Sequence, residues 1–320
     1  MLNKFFKLDE NGSDLKTEVI AGITTFLAMS YILGVNPGML SETGMSIEGV
    51  FFATAVASGI ACIIMGLISN YPIGLAPGMG LNALFTYTIV LEMGLSWKAA
   101  LAAVFLSSII FLIITVVGLR EAILNEIPQD LKLAIGSGIG FFLAFLGLAN
   151  SGIVVTNPMT LVSVGNLASP PVLLACIGIV ITLILYVQKV PAAVFFGLLC
   201  TSILGVIFTF VGFTSPDAVM PTIPNTLISF NLDFSVFGGF LYGFEELFKN
   251  IPSLIMILFS ILFVTFFDTT GTLIPLAKEC GYVREDGTTE GINRAFISDA
   301  IGGSLIFCPS NNTSPDVGVK

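Results

Sequence analysis

Long apolar runs alternate with short polar connections along this chain, and the runs have the length a bilayer demands. About 20 residues rising about 1.5 Å each cross roughly 30 Å of hydrocarbon. Runs of that size lie near residues 19–39, 50–68, 71–91, 98–118, 132–154, 170–188, 191–213 and 253–277. The third cannot be an ordinary helix. Its sequence, NYPIGLAPGMGLNALFTY, sets Pro72, Gly74, Pro77, Gly78 and Gly80 close together. Proline removes a backbone donor and glycine weakens a helix interior, so the segment is predicted to start extended and turn helical only beyond the glycines. Irregular backbone survives at membrane depth only where protein or a water-filled cavity satisfies its polar groups. Interrupted segments of this kind mark transporter binding sites; the plainer alternative is a surface loop followed by a short helix.

The remaining polar stretches divide the chain. Residues 1–18 read as a cytoplasmic tail without a cleavable leader. Residues 19–213 hold seven segments, 214–252 an outer loop, 253–307 a further apolar region and 308–320 a tail. With the N-terminus inside, Lys4, Lys7, Lys16, Arg120, Lys132, Lys189, Lys278, Arg284 and Arg294 fall on the cytoplasmic side, against Lys98 and Lys249 outside. That asymmetry obeys the positive-inside rule.

Composition agrees: 55% of the 320 residues are hydrophobic, 10% are charged and 28 are Phe. The net charge of −9 comes without a basic face, which argues against nucleic-acid binding. Five cysteines form no C-x-x-C pair and predict neither a disulfide framework nor a metal site. Histidine is absent, so any proton coupling must use carboxylates. No cofactor is implied.

Within the fifth run, Gly136, Gly138, Gly140, Ala144 and Gly147 predict close helix packing rather than a nucleotide loop, since no strand precedes them. The sequence SVFGGFLYGFEELFKN, residues 235–250, predicts an interfacial amphipathic helix leading into the eighth run. That run carries Asp268, about 13 Å from its cytoplasmic end at about 1.5 Å per residue. A carboxylate near mid-membrane costs at least ~2.5 kcal/mol, so it pairs, faces a cavity or takes part in transport. Thr269, Thr270 and Thr272 surround it with hydroxyls, and Gly271 leaves room beside it.

Three separated motifs, AGITTFLAMSYILGVNPGML, APGMGLNALFTY and FFDTTGTL, resemble those of the AzgA-like purine permeases, a branch of the xanthine/uracil permease superfamily. The resemblance covers residues 3–303. It implies an all-α polytopic membrane protein with fourteen segments in two inverted seven-segment repeats, short strands in the third and tenth meeting at a central site. It implies proton-coupled uptake of adenine, guanine or hypoxanthine across the cytoplasmic membrane, and admits a homodimer. Carried over by position, Asn82 and Thr272 face the substrate, Gly80 lies where backbone approaches the base, and Asp268 takes a purine N–H and couples the proton. Asn82 has a second role open to it, as N-cap of the half-helix.

The sequence departs from the family after Gly303. Relatives continue into a threonine-rich tenth segment with a glutamate, whereas this chain reads SLIFCPSNNTSPDVGVK. Some relatives also carry a second carboxylate where Thr265 stands here. The expectation is a complete first repeat with a broken third segment, a second repeat cut after its eighth or ninth segment, and a third-segment strand without its partner. The alternative function is therefore a non-transporting fragment of such a permease. An intramembrane protease would need two aspartates or an H-E-x-x-H helix, and a channel a continuous polar lining; neither is present.

Overall fold

The computed structural model describes residues 5–6, 8, 12–120, 128–190, 192–214, 220–222, 232–282, 289, 291–303 and 313–318. Lys4, Lys7 and Arg284, counted above in the charge balance, lie outside the described residues.

Polar caps start the helices where apolar runs begin. Asp14 accepts from Thr17 N at 2.8 Å to open α1, Leu15–Met29, and α2 follows as Ile32–Ser41. Ser46 caps α3, Ile47–Ile64, and Ser96 caps α5, Trp97–Val116. Between them lie a π-helical turn, Met65–Ser69, strand β1, Ile73–Pro77, helix α4, Met79–Ala83, and a second π-helical stretch, Leu84–Glu92. After α5 come α6, Gln129–Asn150, a hairpin of β2, Val154–Asn157, and β3, Leu161–Val164, then α7, Pro170–Val187, and α8, Ala193–Val211. A 3-10 turn, Gly239–Tyr242, and α9, Phe244–Leu247, lead to α10, Ile251–Glu279, α11, Ile292–Gly303, and β4, Thr313–Gly318.

Among the described residues, six stretches of 18 to 27 residues are helical, long and apolar enough to cross a membrane: Leu15–Ser41, Ile47–Ser69, Trp97–Val116, Pro170–Val187, Ala193–Val211 and Ile251–Ala277. The third expected segment is strand, short helix and π-helix in succession, the extended start falling where its prolines and glycines lie. Apolar side chains such as Ile63, Ile113 and Phe259 face outward, which suits a lipid solvent.

The chain divides into two compact units, residues 1–139 with 232–320, and residues 140–231. In the first, α5 supplies the packing floor. Ala99, Ala100, Ala102 and Ala103 are fully buried and present a small-residue surface on which α10, α11, the 3-10 turn and α9 pack. In the second, α7 and α8 lock through two reciprocal pairs. A Cβ on Gly178 would meet Thr201 Oγ1 at 2.6 Å, and one on Gly197 would meet Thr182 Oγ1 at 2.1 Å. Each threonine hydroxyl donates to the glycine carbonyl one turn back on its own helix, at 2.8 Å for Thr182 and 2.7 Å for Thr201. The hydroxyls are thus satisfied locally and only their bulk reaches across.

Three expectations change. Among the described residues, a Cβ on Gly138, Gly140 or Gly147 of α6 would meet nothing within 4 Å, and Ala144 is exposed. Gly136 falls among residues whose side-chain surroundings are not described. Residues 235–250 form no single continuous helix; a 3-10 turn, Gly239–Tyr242, begins after Gly238, at φ 69°, and the four-residue α9 follows it. These turns dock on α5 because Gly239 lies against the Trp97 ring and Gly243 against the Lys98 carbonyl, with no room for a Cβ at either. Finally, β1 has a partner. It pairs antiparallel with β4, Ile73 opposite Gly318 and Pro77 opposite Thr313, so its backbone groups are not left open to a cavity.

Candidate functional site

The approach to the site begins where α3 ends. The turn Met65–Ser69 closes on Asn70, held at φ 56° with its Nδ2 donating to Phe6 O at 2.9 Å. The chain then runs extended as β1, all five residues buried. Gly74 lies against the Met29 thioether, which would have to move to admit a Cβ there. The β1–β4 register shifts between Gly74 and Leu75, and at that irregularity α3 supplies a substitute partner. Leu75 N donates to Cys62 Sγ at 3.1 Å, and the Cys62 thiol donates to Leu75 O at 3.3 Å.

Beyond Gly78 the backbone turns helical, with Asn82 N donating to Gly78 O at 3.1 Å. The residue at the helix start is Gly78, not Asn82, so the capping role is not the one Asn82 plays. Its side chain instead enters a buried polar chain. Asn82 Nδ2 donates to Asn36 Oδ1, and Asn36 Nδ2 donates to Thr54 Oγ1 at 2.7 Å. All three residues have no exposed surface. Asn82 Oδ1 and the hydroxyl of Thr86, four residues on, have no hydrogen-bond partner among the described residues.

On α10, Asp268 is 5% exposed and Thr269 fully buried. The Thr269 hydroxyl also lacks a partner among the described residues. Thr270 Oγ1 donates to Phe266 O at 2.6 Å, and Thr272 Oγ1 to Asp268 O at 2.8 Å, so both hydroxyls turn back on their own helix. Gly80 is half-buried with open space where a Cβ would point.

Helix α4 packs against α10, which brings the two sequence-predicted elements together. The small cavity at their junction is lined by Leu81, Ser108, Phe111, Ile261, Thr265 and Asp299, with Ala300 and Gly303. It has room for about one water molecule, too little for a heterocyclic base in this conformation. Asn82, Asp268, Thr272 and Gly80 flank this cavity in sequence without lining it: Leu81 precedes Asn82, and Thr265 lies one helical turn before Asp268.

Two charged groups near the cavity were not singled out by sequence. Asp299 lies on α11, 2% exposed. Arg120, counted above among the cytoplasmic-side charges, is 1% exposed. Its guanidinium sits over Phe296 at 3.8 Å, Phe111 at 4.7 Å and Phe266 at 5.9 Å, rings from three different helices, and Asp299 attracts its charge. Its three side-chain nitrogens have no hydrogen-bond partner among the described residues. On α11, Ser298 Oγ meets Ser69 Oγ at 2.7 Å, tying this helix to the turn before β1. No group of three or more metal-ligating side chains occurs among the described residues.

Comparison with known proteins places these observations. The profile of a permease family, that of the xanthine/uracil permeases, matches residues 16–307. The guanine/hypoxanthine permease PbuG of Bacillus subtilis is 44% identical over 308 residues, covering 93% of this chain and 67% of its own length. The adenine permease AdeP of Escherichia coli is 38% identical over 301 residues, 94% of this chain and 64% of its own. The guanine/hypoxanthine permease PbuO of Bacillus subtilis is 36% identical over 297 residues, 92% and 66% respectively. The chain thus spans about two thirds of the length of the curated relatives it matches.

Proposed function

This chain belongs to the xanthine/uracil permease family and is a transporter rather than an enzyme, and from that premise we propose that it carries purine nucleobases, guanine, hypoxanthine or adenine, into the cell in symport with protons. The observation that carries the reading is the set of buried polar groups on two elements, the broken third segment and α10, that pack against each other. Asn82, Thr86, Asp268 and Thr269 are each 5% exposed or less, within a membrane-length apolar bundle. The oxygens of Asn82, Thr86 and Thr269 have no acceptor or donor among the described residues. Buried polar groups are normally paired, and unpaired ones in hydrocarbon are costly, so a polar ligand is what this junction suits.

A purine offers ring N–H donors and carbonyl or ring-nitrogen acceptors, complementary to a carboxylate and an amide. Asp268 receives a base N–H and, as its access to water changes through the transport cycle, takes up and releases the coupled proton. Thr272 is the weakest of the four candidates, because its hydroxyl is engaged by its own helix. Gly80 retains open space where a base can come close. Admission of the base requires the one-water cavity to widen, which alternating access supplies by moving one repeat against the other.

In this reading residues 19–213 are the first of two inverted repeats, and residues 253 onward begin the second, in the cytoplasmic membrane with the N-terminus inside. What supports it is the antiparallel β1–β4 pair: one strand comes from the third segment and the other follows α11, where an inverted counterpart would sit.

The test is uptake of labelled hypoxanthine, guanine and adenine by cells that lack purine uptake, expressing this chain or its Asp268→Asn variant. A second form, continued to the length of the relatives, separates the fragment alternative. Uptake by this chain that Asp268→Asn abolishes supports the proposal, and uptake by the longer form alone supports the fragment alternative. Full proton-driven uptake by Asp268→Asn removes the coupling role, and no uptake by either form removes the function.

A further inference from the structure

We infer that the β2–β3 hairpin lies in the lipid headgroup layer, with Met159 and the face that carries Val162 and Val164 set against the acyl-chain boundary. The surface belongs to the second compact unit and involves none of the nucleobase-site candidates.

Helix length sets where the hairpin begins. The 18 residues of α7 span about 27 Å at about 1.5 Å each, no more than the roughly 30 Å of hydrocarbon, so Pro170 stands at the hydrocarbon edge. Three residues separate α6 from β2, and five separate β3 from α7. At no more than about 3.6 Å per residue, the first of these links keeps the base of the hairpin within about 15 Å of the end of α6. Glycines fasten that base to α7. Gly165 N donates to Ile153 O at 2.8 Å, Gly165 lies against the Gly152 carbonyl with no room for a Cβ, and a Cβ on Gly152 would meet Val172 of α7 at 3.3 Å.

Opposed residues of an antiparallel pair share a face, and faces alternate along each strand. Val154 opposite Val164 and Thr156 opposite Val162 therefore form one face, and Val155 with Ser163 and Asn157 with Leu161 form the other. Val162 is 47% exposed, Val164 67% and Met159, at the tip, 94%. Leu161, at φ 66°, is exposed beside the tip. Residues 150–169 contain no Asp, Glu, Lys or Arg. An outward apolar surface without charge gains by leaving water, and this one is tied to the end of a span whose own apolar residues, Ile179, Val180 and Leu183 among them, already face outward. The surface nearest to hand is the bilayer that α7 crosses.

Hydrogen bonding sets the depth. Asn157 Oδ1 accepts from Met159 N at 2.8 Å and from Thr160 N at 3.2 Å, and Thr160 Oγ1 donates to Val162 O at 2.8 Å. At the base, Asn166 Oδ1 accepts from Ala168 N at 3.1 Å, and Ser169 Oγ donates to Asn166 O at 2.8 Å. These donors are paired within the connection, so the turn loses little by leaving bulk water. The outer edges of a two-stranded pair still carry open backbone groups, which lipid-exposed hydrocarbon does not tolerate. The headgroup layer satisfies both demands, because water reaches the edges there while apolar side chains reach the acyl boundary.

The experiment places a single tryptophan on the hairpin of the full chain in lipid nanodiscs. Trp97 is the one tryptophan of the chain, so Trp97→Phe gives a silent background; if that variant fails to fold, Trp97 is kept and its emission subtracted. Met159→Trp and Val164→Trp are compared with Ser163→Trp, using acyl chains brominated near the headgroup and aqueous iodide as quenchers. We expect brominated lipid to cut emission at least twofold at positions 159 and 164, and by less at 163 than at 164. Less than twofold at either 159 or 164 overturns the inference: strong iodide quenching there would mean that the hairpin stands in water, and weak quenching by both agents that protein covers it, a second copy of this chain included. Lipid quenching at 163 as strong as at 164 overturns the assignment of the face.

Discussion

Replacing Arg120 by leucine removes a cation from a site with 1% exposure, and the arrangement around it sets the expected loss. Two terms add. Stacking over Phe296 at 3.8 Å and Phe111 at 4.7 Å contributes about 0.5–2 kcal/mol per desolvated cation–ring contact. Removing one partner of a buried opposite-charge pair costs about 3–5 kcal/mol, because the other is left in low dielectric. The other here is Asp299, 2% exposed. Leucine recovers part of the lost packing, so the net destabilisation expected is about 3 kcal/mol. For a domain of some 150–250 residues 1 kcal/mol moves the unfolding midpoint by about 2–4 °C, which puts the shift at no less than about 6 °C. The assay is thermal unfolding in detergent, followed by loss of helical circular dichroism and checked by size-exclusion monodispersity. The double variant Arg120→Leu with Asp299→Leu should recover most of the loss, since replacing both charges of a buried pair by apolar residues is often neutral or better. Arg120→Leu unfolding within about 2 °C of the unaltered protein, or a double variant as unstable as the sum of its parts, would refute the electrostatic account.

Three other variants probe separate parts of the fold. Gly197→Ala should loosen the α7–α8 pair by about 1–3 kcal/mol, because its Cβ would meet Thr182 Oγ1 at 2.1 Å; adding Thr182→Ala should restore much of it, and a Gly197→Ala protein with an unchanged midpoint would contradict the packing. Cys62→Ala should cost about 1–3 kcal/mol by leaving the Leu75 backbone groups without their thiol partner, while Cys62→Ser should largely keep them satisfied; equal midpoints for the two would remove the strand-holding role. Glu246 accepts from Ser96 N at 2.9 Å and from the Ser96 hydroxyl, and these bonds hold its carboxyl below its usual value of 4.5. The lowered group stabilises the folded state above pH 4.5, and that contribution is lost as pH falls through its folded-state value. The midpoint gap between unaltered protein and Glu246→Gln should therefore be widest near neutrality and close in acid; a gap that stays constant down to about pH 3.5 would refute it.

What the sequence determined by itself is local. Apolar run length announced membrane spans, since about 20 helical residues are needed whatever surrounds them. The prolines and glycines of the third segment dictated strand before helix, because their backbone restrictions act residue by residue, and β1 and α4 fall where they must. The burial of Asp268 followed from its place in an apolar run. What only tertiary structure decided are the pairings between distant segments. The strand Thr313–Gly318 reads as polar tail until β1 presents the backbone groups it pairs with. Asn36 lies in plain view in the first motif, yet its buried hydrogen bonds depend on α3 and α4 arriving on either side with Thr54 and Asn82. Arg120 counts by position as a charge near the cytoplasmic side, and it is buried because rings from α5, α10 and α11 converge on it. Likewise, among the described residues, Gly178 and Gly197 admit a neighbouring helix, since close approach depends on the partner surface as much as on the missing Cβ. Chain-local propensities are written in neighbouring residues; hydrogen-bond partners, counter-charges and helix contacts exist only once separate segments meet.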